Sequence, residues 1–200
     1  LGGDDPYSSS KACQEIISNS YYKSFFNKKN ISVITLRAGN VIGGGDLTKN
    51  RLVPDIFRSI YENKPMVIRN PNHIRPWQNI LDTSFIYMYV AYYNSINDYK
   101  FSGAYNIGPS KQSLLSVKQL LKLFSSYKKI ENVKINNNYK FFTEKKFLAL
   151  NSNKIKKHFN FKNKISIDDL DSIFEIYEKF YTKKINLIDL FNLFKKYIRI

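Results

Sequence analysis

A tyrosine and a lysine four residues apart stand near the start of the chain, in the segment PYSSSKACQE. On an α-helix this spacing places Tyr7 and Lys11 on one face, one turn apart. An ammonium group held there would favour the phenolate form of the tyrosine, which could then take a proton from a substrate hydroxyl. With 15 tyrosines and many lysines in the chain, the same spacing is also expected by chance, on a helix whose lysine simply faces solvent.

The elements that would position these residues alternate between helix and strand, which favours α/β layers over a bundle. Pro6 precedes a run of apolar residues that predicts a helix from Tyr7 to about Phe26, and a buried strand is predicted from Val33 to Arg37. The pattern predicts further helices over 52–64, 84–95, 117–127, 151–159, 166–181 and 186–198, and further strands over 65–70, 102–107 and 131–137.

Three polar residues are predicted to cap helices. Asp82 and Thr83 follow a segment interpreted as a loop over 71–82 and would begin the helix over 84–95. Ser116 would cap the helix over 117–127. In the loop, His73 is interpreted as a loop histidine rather than a catalytic base.

The net charge of +16 raises the possibility of nucleic-acid binding. The lysines are spread along the chain without an arginine-rich stripe, and Lys, Asn and Ile are abundant together, so we expect no nucleic-acid partner. No run approaches the roughly 18 apolar residues of a membrane span, so no membrane association is expected. A single cysteine, Cys13, excludes an internal disulfide and fits a cytoplasmic protein.

Motifs for phosphate and metal binding are missing from the sequence. It contains no G-x-G-x-x-G turn and no P-loop, and the run Gly43 to Gly45 does not lead into the start of a phosphate-binding helix. Two histidines and one cysteine make no zinc site. Three acidic residues are interpreted as a solvated first helical turn rather than a metal site: Asp168, Asp169 and Asp171.

Five segments together resemble the extended short-chain dehydrogenase/reductase family, the NAD-using sugar-nucleotide enzymes: DPYSSSKACQE, LRAGNVIGGGD, NRLVPDIF, IRPWQNILD and GAYNIGPS. A sixth, FLALNSNKIKKHFNF, resembles a late helix of that family. Three stretches, RAGNVIGGGD, RNPNHIRPWQ and the LGG near the start, are most similar to family members that dehydrate CDP-glucose. The match extends over nearly the whole chain and is loose over about the last forty residues.

This resemblance implies an α/β fold: the C-terminal part of a Rossmann-like, doubly wound parallel sheet plus a small mixed α/β substrate-binding region. Residues 1–40 would be the second half of the NAD-binding domain, and 41–200 mostly a sugar-nucleotide-binding region ending in helices. The first half, with its glycine-rich NAD turn and the family's Thr/Ser-Asp-Lys/Glu segment, would be missing. We therefore expect the isolated chain to be inactive.

The resemblance also assigns roles to single residues. Tyr7 would take the proton of the sugar C4 hydroxyl, and Lys11 would bind the nicotinamide ribose of the cofactor NAD. Arg75 matches an arginine that reaches the substrate diphosphate, and Asn40 a position that approaches nicotinamide or substrate. Arg51 and Asn106 would approach the nucleotide; for each of these positions a purely structural role stays open.

Several alternatives remain open at this point. The enzyme could be a 4-epimerase or a dTDP-glucose 4,6-dehydratase, or the chain could be a non-catalytic remnant or partner subunit that binds nucleotide-sugar. The helix bearing Tyr7 also resembles a dimerisation helix, so the partner could be a second copy or the missing N-terminal half. Without that half, the edge of the strand from Val33 to Arg37 would be uncovered and prone to aggregation.

Overall fold

A computed structural model describes residues 2, 4–136, 145–161, 167, 170–182 and 184–197. These residues form an α/β fold, as the sequence predicts. The helices are α1 (Pro6–Tyr21), α2 (Leu52–Glu62), α3 (Ile80–Ser95), α4 (Val117–Tyr127), α5 (Asn153–Phe159), α6 (Leu170–Tyr181) and α7 (Leu187–Tyr197). The strands are β1 (Ile34–Ala38), β2 (Asn40–Ile42), β3 (Met66–Ile68), β4 (Ile74–Asn79), β5 (Gly103–Ile107), β6 (Leu114–Ser116) and β7 (Val133–Ile135).

The chain divides into two compact units, each built from separate stretches of sequence. The first unit consists of the described residues of 1–38, 84–108 and 150–163. The second unit consists of those of 39–83, 109–149 and 164–200. The assignment of 1–40 to cofactor binding and 41–200 mostly to substrate binding stays a prediction.

The first unit contains a parallel pair of strands, β1 and β5, in a register that runs from Ile34 opposite Gly103 to Ala38 opposite Ile107. Its core is apolar and aromatic: the ring of Phe159 on α5 packs edge-on against Tyr105 of β5, with ring centroids 5.2 Å apart. Burial of such rings is a large share of what holds a small unit together. The predicted strands here and the helix over 151–159 are confirmed.

Helix α1 forms because Pro6 occupies its first turn and Asp5 caps it, the Oδ1 of Asp5 accepting a hydrogen bond of 3.0 Å from the backbone N–H of Ser8. The predicted helix is confirmed, but after Tyr21 it changes to π-helical (Tyr22–Phe26) and then 3₁₀ (Asn27–Lys29) turns. Every residue of α1, all of them described, stays at least partly exposed. Hydrophobic burial within the chain therefore contributes little to its position.

The second unit contains two sheets. Strands β2, β4 and β6 form one, in which β2 and β4 are parallel and β4 and β6 antiparallel, and β3 and β7 form a parallel pair. The core lies among α2, α4 and α6, where Phe57 stacks on Tyr177 with ring centroids 3.9 Å apart and meets Phe124 edge-on at 5.7 Å. Helices and strands therefore both contribute to this unit, as the predicted α/β class requires.

The segment predicted as a loop over 71–82 is wrong in part, because residues Ile74–Asn79 form strand β4. Pro76 hid this strand, since proline has no N–H to donate and is rarely found in a strand that is paired on both sides. The structure accommodates the proline because β6 pairs with residues 74–76 of β4, whereas β2 pairs with residues 77–79. Pro76 is therefore paired with β6 and not with β2. The short strands β2 and β6 were not predicted either.

The predicted caps have mixed outcomes. Ser116 caps α4 as predicted, in a reciprocal capping box with Gln119. Helix α3 begins earlier than predicted, at Ile80, so Asp82 and Thr83 lie inside its first turn and the prediction that they cap it is wrong. The Oδ1 of Asn79 instead accepts from the backbone N–H of Leu81 at 2.9 Å.

Among the described residues, no group of three or more His, Cys, Asp and Glu side chains is arranged to hold a metal ion. None of the described helices is long and apolar enough to cross a bilayer. Asp168 and Asp169 lie outside the described residues, whereas Asp171 lies in the first turn of α6.

Candidate functional site

The Tyr7 and Lys11 side chains lie together on α1. The ammonium nitrogen of Lys11 is 5.6 Å from the centroid of the Tyr7 ring, and it also donates to Oε1 of Gln14 at 3.4 Å. Tyr7 is 71% exposed, so it is accessible to a ligand. An accessible phenol beside an ammonium group can move a proton at a substrate hydroxyl and hold the hydroxyls of a ribose.

Helix α1 is tied to the sheet of the first unit by an ion pair. The guanidinium of Arg37 on β1 donates two hydrogen bonds to the carboxylate of Glu15 on α1. These hydrogen bonds and the charge of Arg37 lower the pKa of Glu15 despite its partial burial, and the same contact raises the pKa of Arg37. Sequence analysis missed this pair, since its members are 22 residues apart and nothing local joins them.

Asn106 lies next to the carboxyl end of β5, opposite Arg37 of β1. In open parallel sheets ligands bind beyond this end of the strands. Its side-chain amide donates to the backbone carbonyl of Asn151 at 3.3 Å, and Gly108 just beyond it donates to Oγ of Ser152 at 2.7 Å. Asn106 therefore has a structural contact, and its predicted approach to the nucleotide stays a prediction.

In the second unit, Asn40 begins strand β2 opposite Trp77 of β4 and is half-buried. The backbone before it is fixed because the N–H of Gly39 donates to Oε1 of Gln78 at 3.3 Å. A Cβ atom at Gly39 would lie 2.4 Å from the carbonyl oxygen of Pro76, so the two strands approach here as only glycine allows.

Gln78 belongs to a buried polar group that sequence analysis did not identify. Its side-chain amide donates to Oγ1 of Thr83 at 2.9 Å, and that hydroxyl donates to the carbonyl of Asn79 at 3.0 Å. Each of these three residues is at most 5% exposed. Because buried polar groups need partners, the group fixes the junction of β4 and α3. The available signal was the polar pair before an apolar helix, QNILD.

Arg51 precedes α2 and is exposed, with its Nη1 3.8 Å from Oδ2 of Asp46. Burial acts to raise the pKa of Asp46, but hydrogen bonding by Thr48 and the charges of Arg51 and Arg58 lower it overall. Arg51 thus lies beside an anion that the loop itself supplies. Its predicted approach to the nucleotide stays a prediction.

Arg58 holds this same loop and was not singled out from the sequence. Its Nη1 and Nη2 donate to the carbonyls of Leu47 and Thr48, each at 3.0 Å, and it forms an ion pair with Asp55 one turn earlier on α2. The spacing of Asp55 and Arg58 on one helix face was the signal that could have identified the pair.

The glycine run 43–45 has a structural explanation in the second unit. A Cβ atom at Gly43 would lie 2.2 Å from Cγ2 of Ile80, and one at Gly44 would lie 2.3 Å from Cβ of Ile176. Gly45 has a φ of +88°, which side chains rarely adopt. Packing and a turn therefore require these glycines, whatever ligand they meet.

Arg75 lies on β4, opposite Leu115 of β6, and is half-buried. Its Nη1 donates to the carbonyls of Ile74 and Lys145, each at 2.9 Å, and its Nη2 lies 3.1 Å from Nδ1 of His73. A guanidinium held in this way has a defined plane, which is what two-point binding of phosphate oxygens needs. Its predicted role in binding the diphosphate stays a prediction.

Comparison with known proteins decides the family. The model of the NAD dependent epimerase/dehydratase family matches residues 3–108, more than half of the chain. The chain belongs to that family. It is also 44% identical over 122 residues to the CDP-glucose 4,6-dehydratase of Salmonella typhimurium, a match that covers 58% of this chain and 34% of that protein.

Solved structures of dehydratases and epimerases share the fold of this family member. The dTDP-glucose 4,6-dehydratase of Bacillus anthracis, solved with NAD, is 24% identical with a TM-score of 0.64, and 90% of this chain covers 54% of that one. A UDP-N-acetylglucosamine 4-epimerase from Methanobrevibacter ruminantium is 17% identical with a TM-score of 0.67, over 92% of this chain and 56% of that one.

The match to the curated relative spans about a third of that relative's length, and the matches to the solved structures span a little over half. The predicted resemblance to the sugar-nucleotide enzymes of the short-chain dehydrogenase/reductase family is confirmed, and this family is NAD-dependent. The substrate and the reaction of the whole protein are matters for proposal.

Proposed function

We propose that this chain is the part of an NAD-dependent CDP-glucose 4,6-dehydratase that carries its proton-transfer pair and its sugar-nucleotide-binding region. The observation that carries the proposal is the 44% identity over 122 residues to such an enzyme. The reaction would remove one water from CDP-glucose and give CDP-4-keto-6-deoxyglucose, a lyase step in the synthesis of deoxysugars for surface polysaccharides.

The residues on α1 suit the nicotinamide–ribose end of NAD, because an exposed phenol and an ammonium group lie on one face of that helix. The 200 residues contain no glycine-rich turn for the cofactor's pyrophosphate, so we expect them to be inactive by themselves. When bound, NAD would accept a hydride from the sugar and later return it.

Tyr7 would act as the base that takes the proton of the C4 hydroxyl as that carbon is oxidised to a ketone. The ammonium group of Lys11 would stabilise the phenolate and hold the ribose hydroxyls. The C4 ketone would acidify the C5 proton, so that the C6 hydroxyl leaves as water. Asn40, Arg51, Arg75 and Asn106 would bind the nucleotide-sugar, with Arg75 on its diphosphate.

The experiment is incubation of the full-length protein with CDP-glucose carrying deuterium at C4. A dehydratase releases a product lighter by one water, with the deuterium at C6. A 4-epimerase would instead give an isomer of unchanged mass, and a binding subunit would leave CDP-glucose intact. Parallel reactions with UDP-glucose and dTDP-glucose test which nucleotide base the enzyme accepts. Turnover of dTDP-glucose alone would overturn the proposed substrate.

Localisation and assembly belong to the same proposal. We infer a cytoplasmic enzyme, since CDP-sugars are made from cytoplasmic nucleotides and the lone Cys13 is exposed and unpaired. Association through the exposed apolar side chains of α1, among them Ile16, Ile17 and Tyr21, would give a homodimer. Sedimentation of the full-length protein tests the dimer, and a monomer would overturn it.

A further inference from the structure

The turn that carries His73 is fastened to the start of α4. The backbone N–H of His73 donates to the carbonyl of Asn70 at 3.2 Å, and its own carbonyl accepts from the N–H of Val117 at 3.1 Å. The N–H of Lys118 donates to the carbonyl of Pro71 at 2.8 Å. These main-chain hydrogen bonds fix the backbone of His73, from which the imidazole projects. Helix α4 is in turn stabilised by its capping box.

In the hydrogen bond between His73 and Arg75, only Arg75 can be the donor. Arginine carries donors and no acceptor, so Nδ1 of His73, 3.1 Å from Nη2 of Arg75, must accept the hydrogen bond.

Acceptors on three residues restrain the guanidinium of Arg75. Two are the backbone carbonyls of Ile74 and Lys145, and the third is Nδ1 of His73. Acceptors placed around a guanidinium fix its plane, which is what two-point binding of phosphate oxygens needs.

We propose that His73 is a positioning residue for Arg75, which it holds in the plane that grips the substrate diphosphate. The proposal rests on the proposed function, in which Arg75 binds that diphosphate. An arginine side chain loses much rotamer freedom when it is immobilised by a ligand, and a hydrogen bond that already restrains it reduces that loss on binding. His73 touches neither the reacting atoms nor, in this proposal, the phosphates.

The test is the affinity of the full-length protein for CDP and for cytidine, measured by titration calorimetry. His73→Leu replaces the imidazole by an apolar side chain and so removes the acceptor, and it is expected to weaken CDP binding about three- to tenfold, the size of one lost hydrogen bond. Cytidine, which has no phosphate, is expected to bind the variant and the wild type alike.

Two further variants separate positioning from folding. In His73→Asn the Oδ1 atom is bonded to Cγ, as Nδ1 is in histidine, so an acceptor returns to nearly the same place and most of the lost CDP affinity is expected to return. In an Arg75→Leu background, His73→Leu is expected to change CDP affinity no further, because its effect passes through Arg75.

Three results would overturn the proposal: equal losses for CDP and cytidine, additive losses in the double variant, or no recovery in His73→Asn. If His73→Leu does not fold, His73→Ala replaces it in the same comparison. The failure of the proposed function gives a different pattern, in which the wild type binds no CDP or Arg75→Leu binds it as tightly as the wild type.

Discussion

Glu15 on α1 and Arg37 on β1 form a two-point ion pair, and this contact joins the helix of Tyr7 and Lys11 to the strand beside it. No residue of α1 is buried, so the pair takes on a positioning role that apolar packing has in most helices. A helix positioned by an ion pair is sensitive to acid in a way that a helix held by apolar packing is not.

Glu15→Gln is therefore expected to lower the free energy of unfolding by at most about 1 kcal/mol at neutral pH, since the Arg37 side chain is still 44% exposed and solvent screens the pair. The pKa of Glu15 is lowered in the folded state, so its stabilisation is fully present above the ordinary glutamate pKa. It is lost as the pH falls through the lower folded value. Urea unfolding of both proteins from pH 7 to pH 3 measures the difference.

The control for this prediction is Glu131→Gln. Glu131 pairs with Lys129 at 3.1 Å on an open surface, with side chains 60% and 85% exposed, so its removal is expected to change stability by less than about 0.5 kcal/mol. Equal losses in the two variants would show that the contact of Glu15 with Arg37 has no special role.

In the proposed reaction Tyr7 takes the C4 hydroxyl proton, so Tyr7→Phe is expected to lower the turnover number of the full-length protein by about 100- to 10,000-fold. Binding of CDP-glucose is expected to change little. Steady-state kinetics and calorimetry measure the two effects. Tyr21→Phe is the matched control, a tyrosine on the same helix that is 54% exposed; a similar loss of turnover there would contradict a specific role for Tyr7.

Gly43→Ala is expected to destabilise the protein by about 1–3 kcal/mol, the cost of overpacking, because the new Cβ would meet Cγ2 of Ile80 at 2.2 Å. Ile80→Ala removes that methyl group but leaves its own Cβ at 2.8 Å, so the double variant is expected to recover part of the loss. Thermal unfolding of the single and double variants gives the coupling.

Gly45→Ala is the control for the Gly43→Ala and Ile80→Ala double-mutant comparison. No atom lies within 4 Å of a Cβ at Gly45, and its φ of +88° makes the substitution costly through the backbone instead. Ile80→Ala is expected to recover nothing in this background. Recovery there would mean that the loop responds as a whole and that the contact at Gly43 is not specific.

Tyr177→Phe is expected to cost about 0.5–1.5 kcal/mol at neutral pH, because the Tyr177 hydroxyl donates to the carbonyl of Asp46 at 2.8 Å. Burial, with the nearby charge of Asp46, raises the pKa of Tyr177 above the ordinary 10.0. Its contribution to stability is thus fully present below pH 10 and is lost as the pH rises further.

Urea unfolding between pH 8 and pH 11 tests this sign. The wild type is expected to lose stability more steeply above pH 10 than Tyr177→Phe, which has no phenol to ionise at that site. Tyr92→Phe is the control, since Tyr92 is 64% exposed and its replacement should leave the slope unchanged. Parallel slopes for the wild type and Tyr177→Phe would contradict the prediction.

Much of the fold could be read from local pattern. Spacing and capping chemistry among neighbouring residues predict three elements: the helix of Tyr7, the strand Ile34–Ala38, and the helix after Ser116 with its cap. Strand β4 could not be read in this way, because Pro76 is tolerated only through the order in which β6 and β2 pair with it.

The candidate site divides along the same line. Spacing pointed to Tyr7 and Lys11 as a candidate pair, and the similarity of short segments was enough to indicate Arg75 and to name the family. The sequence by itself determined these identities, because a motif is a matter of local order along the chain.

Only the tertiary structure decided which long-range contacts hold the elements of the fold and of the candidate site. Arg37 reaches Glu15 across 22 residues, Tyr177 reaches Asp46 across 131, and Lys145 reaches Arg75 across 70. Such partners depend on how strands register and helices pack, and no local propensity encodes them. The glycines of the 43–45 run show the same thing, since Ile80 and Ile176, which crowd the first two, come from distant helices that fold back onto that turn.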